Sequence, residues 1–334
     1  MPFQSPKRRE LLGTSTSSLS YFGNGSDGAL TVSSNTTLGS GNDDTAVYYS
    51  NYTTLIVNSS TTLSLAGRRR AWIIYVQGNC TINGSLTMAT GASAVASATE
   101  VIRDTPNSVL GQANLNNVVQ YVTPAAGANG GTGSTSGNGN AGSAGTNGQT
   151  GGGGAGGGNF SGISVGGAGA AGTAYSGGSG GGGGCYNTGV NGSPGGANGG
   201  AGGASGTSSN ISAYNASGGT GNPGGSGAGT FTGSSGTGGN IILIVGGNLT
   251  IGGSATISAN GTQGTAVTSG SLSRIGGGSS GGGRVIILYA GTLSNSGTIQ
   301  ANGGATNTQS GAGADNQSGG AGGAGSVTSP TQVS

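Results

Sequence analysis

Few residues in this chain are equipped for bond chemistry. Across 334 residues there are 9 Lys+Arg, 7 Asp+Glu, 2 Cys and no His. The carboxylates that lie close together are Asp43-Asp44 and the Glu100/Asp104 pair. Two carboxylates facing each other across a groove can cleave a glycosidic bond, one as acid and the other as base or nucleophile. Both pairs here fall in turn-like sequence without an aromatic platform for a sugar, so a polysaccharide depolymerase is not expected. Cys80 and Cys185 have no histidine to activate them as nucleophiles. GGSGG at 177–181 matches the G-x-S-x-G elbow in letters only, and the abundant G-x-G-x-x-G matches lack a strand-to-helix context. GAGAD ending at Asp315 is not a calcium-binding repeat, which would carry Asp in every turn. The expectation is no enzyme, no metal centre and no cofactor.

The cations form two clusters, Lys7, Arg8 and Arg9 near the start and the triplet Arg68, Arg69 and Arg70. With a net charge of only +2 they cannot build the basic stripe that displaces counterions from nucleic acid. Guanidinium groups suit carboxylate or phosphate. Docking onto another subunit is the role expected of both clusters, ahead of binding to lipopolysaccharide, and the first belongs to an arm that orders on docking. No run of about 18 apolar residues is present, so no membrane span is expected. The opening MPFQSPKRRELLGTSTSS holds no apolar stretch of signal-peptide length, and both thiols are expected to be free.

The elements that must position these residues are written between glycines, 83 in all, about a quarter of the chain against a usual share of about 7%. Seven prolines and the lack of a strict triplet exclude collagen, and organised apolar strands exclude a plain linker. One unit recurs: WIIYVQGNCTINGSLTM at 72–88, IILIVGGNLTIGGSATI at 241–257 and VIILYAGTLSNSGTIQA at 285–301, aligned without gaps. Each copy reads as an apolar strand, a corner, a short alternating strand, a second corner and another short strand. Earlier in the chain LTVSSNTTL leads to AVYY, and LIVNSSTTLSL leads through AGRRRA to WIIYV. Cys80 replaces the inward-pointing Leu249 and Leu293, and Ile242 is expected in the same inward stack.

The pattern predicts an all-β fold of five short triangular β-solenoid coils with three strands each, whose Gly-rich excursions all leave from one corner. The excursions lack an apolar face for a helix or buried strand. Aligned glycine chains in a left-handed threefold helix can instead pair their backbones laterally, as a polyglycine II-like block. The organisation is then an attachment arm at 1–28, first coils at 29–88, a long excursion at 89–240, and last coils with two shorter excursions at 241–334.

Strands of the INGSLT and NLTIGGSATI type flanking long Gly/Ala/Ser/Asn tracts resemble glycine-rich virion proteins of tailed bacteriophages. The glycine tracts are similar to the polyglycine II sandwich of receptor-binding adhesins at tail-fibre tips. The resemblance implies a virion location, partners among other virion proteins, a host surface protein or polysaccharide as receptor, and a homotrimer. Receptor contact would fall to lone aromatics of the long excursion, Phe160, Tyr175, Tyr186, Tyr214 and Phe231, which could equally plug the glycine block. A head fibre or capsid decoration protein is the alternative. An ice-binding face is less favoured, because the threonines do not keep one register through all coils.

Overall fold

Val, Ile, Leu, Tyr and Thr dominate the segments between the Gly/Asn corners, and such side chains suit a pleated, half-buried surface. The computed structural model describes residues 22–41, 47–67, 69, 71–88, 239–261, 263, 281–305 and 321–333, and the backbone of four two-residue strands. Every regular element among them is a strand. The chain opens with β1 (Gly28–Val32) and β2 (Thr36–Leu38), followed by β3 (Val47–Val57) and β4 (Thr62–Leu65). Next come β5 (Ala71–Val76), β6 (Cys80–Ile82) and β7 (Ser85–Thr87). Three two-residue strands follow, β8 (Ile163–Ser164), β9 (Cys185–Tyr186) and β10 (Asn215–Ala216). The unit then returns as β11 (Asn240–Val245), β12 (Leu249–Ile251) and β13 (Thr256–Ser258). After β14 (Arg274–Ile275) it returns again as β15 (Arg284–Tyr289), β16 (Leu293–Asn295) and β17 (Thr298–Gln300), and the chain closes with β18 (Ser326–Val327) and β19 (Thr331–Gln332).

Equivalent strands pair in parallel. Strands β5, β11 and β15 lie side by side with Trp72, Ile241 and Val285 in one row. Strands β6, β12 and β16 align Cys80, Leu249 and Leu293, while β7, β13 and β17 align Leu86, Ile257 and Ile299. The third row corrects the gap-free alignment. Between Ile82 and Ser85 the chain uses Asn83 and Gly84, whereas between Ile251 and Thr256 it uses Gly252 to Ala255. Inward apolar residues must stack, but a corner on the surface is free to lengthen.

A second correction concerns the early part of the chain. AVYY and LIV are not separate strands with a corner between them. Strand β3 runs unbroken for 11 residues, pairing through its first half with β5 and through its last residues with β6. Its middle, Ser50 to Thr54, has no glycine at which to turn, and Thr53-Thr54 are β-branched. The expected three separate strands therefore occur as β5–β7, β11–β13 and β15–β17, while the earlier units supply two each, β1–β2 and β3–β4.

The parallel strands enclose one apolar core. Trp72, Ile74, Val76, Ile241, Leu243, Val245, Val285 and Ile287 line it from one side, with Leu55, Cys80, Ile82, Leu86, Leu249 and Ile257 completing it. Each fully buried Val, Leu or Ile contributes about 1.5–3 kcal/mol. Ile242 is not among them. It belongs to a second buried cluster with Ile73, Tyr75, Ile244, Ile286 and Leu288, against which Phe22 and Val47 pack. This sheet is thus buried on both faces, so its strands read as continuous apolar runs in which alternation is invisible. Trp72 satisfies its indole by donating from Nε1 to Ser50 Oγ at 3.0 Å.

Asparagine side chains staple successive strand units. Asn79 Oδ1 accepts from Asn248 N at 2.9 Å, and Asn248 Oδ1 accepts from Thr292 N and Oγ1 at 2.9 and 3.0 Å. Asn35 and Asn260 do the same for the backbones of Thr62 and Asn302. Asn248→Ala removes two of these bonds at one stroke and is expected to cost about 1 kcal/mol, read as a lower urea midpoint at unchanged slope.

Candidate functional site

The corner after β2, β4, β7, β13 and β17 is where every excursion leaves, and the chain re-enters at the same edge to start β3, β5, β11, β15 and β18. At the early turns this corner is closed by a side chain. Arg69 is buried at 9% exposure and donates from Nη1 to the Gly41 carbonyl at 2.9 Å and from Nη2 to the Ser40 carbonyl at 3.0 Å. The middle arginine of the triplet therefore clamps an outgoing loop of its own chain. Arg68 and Arg70 lie outside the described residues, as do Lys7, Arg8 and Arg9.

At the later turns the corner is built of backbone. Met88 N donates to the Ser258 carbonyl, Ala259 N to Gln300 and Gly261 N to Asn302, which ties together the outgoing legs of successive turns. Incoming legs bond to outgoing ones through Gly239 N to Met88, Gly283 N to Ala259, Gly325 N to Ala301 and Gly322 N to Gly304. Three consecutive donors separate in direction. Gly282 N reaches Gly323, Gly283 N reaches Ala259, and Arg284 N reaches Gly239, at 2.8–2.9 Å and on three different legs. Such packing demands glycine. A Cβ on Gly282 would overlap the Ala301 carbonyl oxygen, and one on Gly303 would overlap that of Gly322.

Arg284 sits at this root, fully buried, in a row with Asn240 of β11 and Ser326 of β18. Burial pushes its guanidinium down to about 9. Sequence reasoning passed over Arg284 and Asn240. The signal was present in their matching place, each the polar residue that opens a returning apolar strand.

Cys80 is buried as expected, in the core position that Leu249 fills one turn on. Desolvation pushes its thiol up to about 12, so at neutral pH it is a protonated apolar filler. Among the described residues no three His, Cys, Asp or Glu converge to hold a metal, and no helix is long and apolar enough to cross a membrane. Tyr186 lies on β9, whose backbone pairs antiparallel with β8 and places it opposite Ile163. Phe160, Tyr175, Tyr214, Phe231, both carboxylate pairs and the GGSGG segment lie outside the described residues. No protein-family model, curated protein or solved structure matches the chain.

Proposed function

We propose that the chain is a non-enzymatic structural protein of a tailed-phage virion. In this reading a short triangular β-solenoid carries its glycine-rich excursions as a polyglycine II-like block, and the assembly serves as a tail-fibre-associated adhesin. The observation that carries the reading is the divergence of the Gly282, Gly283 and Arg284 N–H groups to three legs. Strand donors alternate between two neighbours, whereas a chain with three residues per turn directs them three ways. The root of the excursions thus has the bonding pattern that a polyglycine II lattice would propagate outward. Each ordered residue costs about 1–2 kcal/mol of backbone entropy, and legs already aligned by the coils lower the cost of starting such a lattice.

A block of this kind is stiff and has almost no side-chain entropy left to lose. A few aromatics at its tips, with Tyr186 and Tyr214 foremost, would bind a host surface protein or polysaccharide without further ordering cost. Immunogold electron microscopy of intact particles, with an antibody against residues 89–238, tests the assignment. Label at the tip of the tail fibre is the expected result. Label over the head would replace adhesion by capsid decoration, and particles without label would remove the virion reading.

A further inference from the structure

Among the described residues, the two ends of the stacked strands are open and complementary. At the start of the chain β1 and β2 each pair on one edge only, with β3 and β4 respectively. At the other end β16 and β17 pair only with β12 and β13. In the interior, Leu249 N donates onward to the Thr292 carbonyl and Ala259 N to Gln300. Because alternate residues of a strand direct their backbone groups to opposite neighbours, the groups that would bond onward from β16 and β17 are those of Leu293 and Ile299. No described strand lies there to receive them. Side chains confirm the uncovered edge: Ser294, Asn295 and Thr298 are exposed, while Thr250 and Thr256 one turn inward are half-buried and Ile251 is buried. Leu30 and Leu38 at one end and Leu293 and Ile299 at the other remain only partly buried against the core.

Edge strands are usually blunted with lysine, proline or inward-pointing charge. Neither GALTVSSNTTL at 28–38 nor LSNSGTIQ at 293–300 has any of these. Among the described residues proline occurs only at Pro330, between β18 and β19, which confines the open edge to the second and third strand rows. The ends also differ by one step. The row containing β15 continues to β18 and β19, beyond the level of β16 and β17, while β1 and β2 precede the first half of β3 at the opposite end. Among the described residues, the strand that projects at one end therefore matches a row position left without a strand at the other.

We propose that a second copy of this chain docks head to tail, its β1 adding to β16 and its β2 to β17, so that the parallel ladders and the apolar core run on from copy to copy. The contact joins different surfaces on the two copies and does not close on itself, so it extends into linear oligomers. The proposal needs only the observed parallel ladders and stands apart from the virion assignment.

Disulfide trapping tests it. In the row Thr31, Ile56, Thr81, Thr250 and Ser294, Thr31 and Ser294 occupy equivalent places at opposite ends, and docking would bring them to neighbouring-strand distance, about 4.8 Å. Full-length Thr31→Cys and Ser294→Cys chains, each in a Cys185→Ser background, are mixed and oxidised. A covalent dimer in the mixture and not with either chain alone is the expected result; no dimer, or equal yield from one chain alone, overturns the proposal. Sedimentation velocity of the unmodified chain should show a coefficient that rises with concentration. Leu293→Lys with Ile299→Lys should abolish that rise while keeping the melting temperature within a few degrees. A concentration-independent monomer, or an oligomer that persists in this folded double variant, overturns head-to-tail stacking.

Discussion

Leu243→Asp is expected to unfold the protein, while Thr250→Asp is expected to leave it folded. Leu243 is fully buried and sits between Ile74 of β5 and Ile287 of β15 in the inner cluster. The substitution removes about 1.5–3 kcal/mol of apolar burial and forces a carboxyl group into a site with no polar partner. Together these exceed about 5 kcal/mol, which is comparable with the whole stability of many domains. Thr250 is half-buried on the outward side of β12, between the outward Thr81 and Ser294 of the adjacent turns. A charge there stays hydrated and should cost under about 1 kcal/mol. Far-ultraviolet circular dichroism and urea titration of the two variants decide the matter. A soluble Leu243→Asp chain with an unaltered transition would refute the inward placement of this row.

The same residues show how far the sequence could be read. The recurring apolar strands and Gly/Asn corners made parallel stacking legible, because three copies of one unit cannot bury their apolar faces separately. The phase of the first strand was not legible. In IILIV both faces are apolar, so nothing in the letters distinguishes inward Leu243 from outward Ile242, and both are buried, the first in the inner cluster and the second in the outer cluster against which Phe22 and Val47 pack. In CTI and LTI a central threonine breaks the run, and there Cys80 and Leu249 were placed correctly. The candidate site divided in the same way. A single exit corner followed from the order of strands, but Arg69 as a clamp on Ser40 and Gly41 depends on contacts across 28 and 29 residues that no local pattern encodes. The aspect of the glycines that mattered was also hidden: composition flags all of them alike, while the packing distinguishes those wedged between backbones from those in open space.

Gly325→Val is therefore expected to be among the most damaging changes available outside the core, and Gly253→Ala among the mildest. A Cβ on Gly325 would overlap the Gly283 carbonyl oxygen and lie 2.6 Å from Gly282 C and O. Those are backbone atoms, and they are held in place. Gly282 N bonds to Gly323, Gly283 N to Ala259, Gly325 N to Ala301 and Ser326 N to the same Gly283 carbonyl. Relief of the overlap requires moving one leg away from two others and breaking at least one of these bonds. Overpacking of about 1–3 kcal/mol and a lost buried backbone bond of about 1–3 kcal/mol then add. Gly253 occupies a corner where an added Cβ meets nothing within 4 Å, and its backbone is outside the left-handed region that favours glycine. Alanine there restricts the unfolded chain and should be neutral or stabilising by up to about 1 kcal/mol. Thermal melts of both variants, followed by limited proteolysis at a temperature where the parent chain is folded, separate a local fault from a wider one. If the corner nucleates the order of the glycine excursions, Gly325→Val should speed cleavage within residues 306–320 and 262–280 before the strands melt. Cleavage rates equal to those of Gly253→Ala would show that the close-packed root and the excursions are independent.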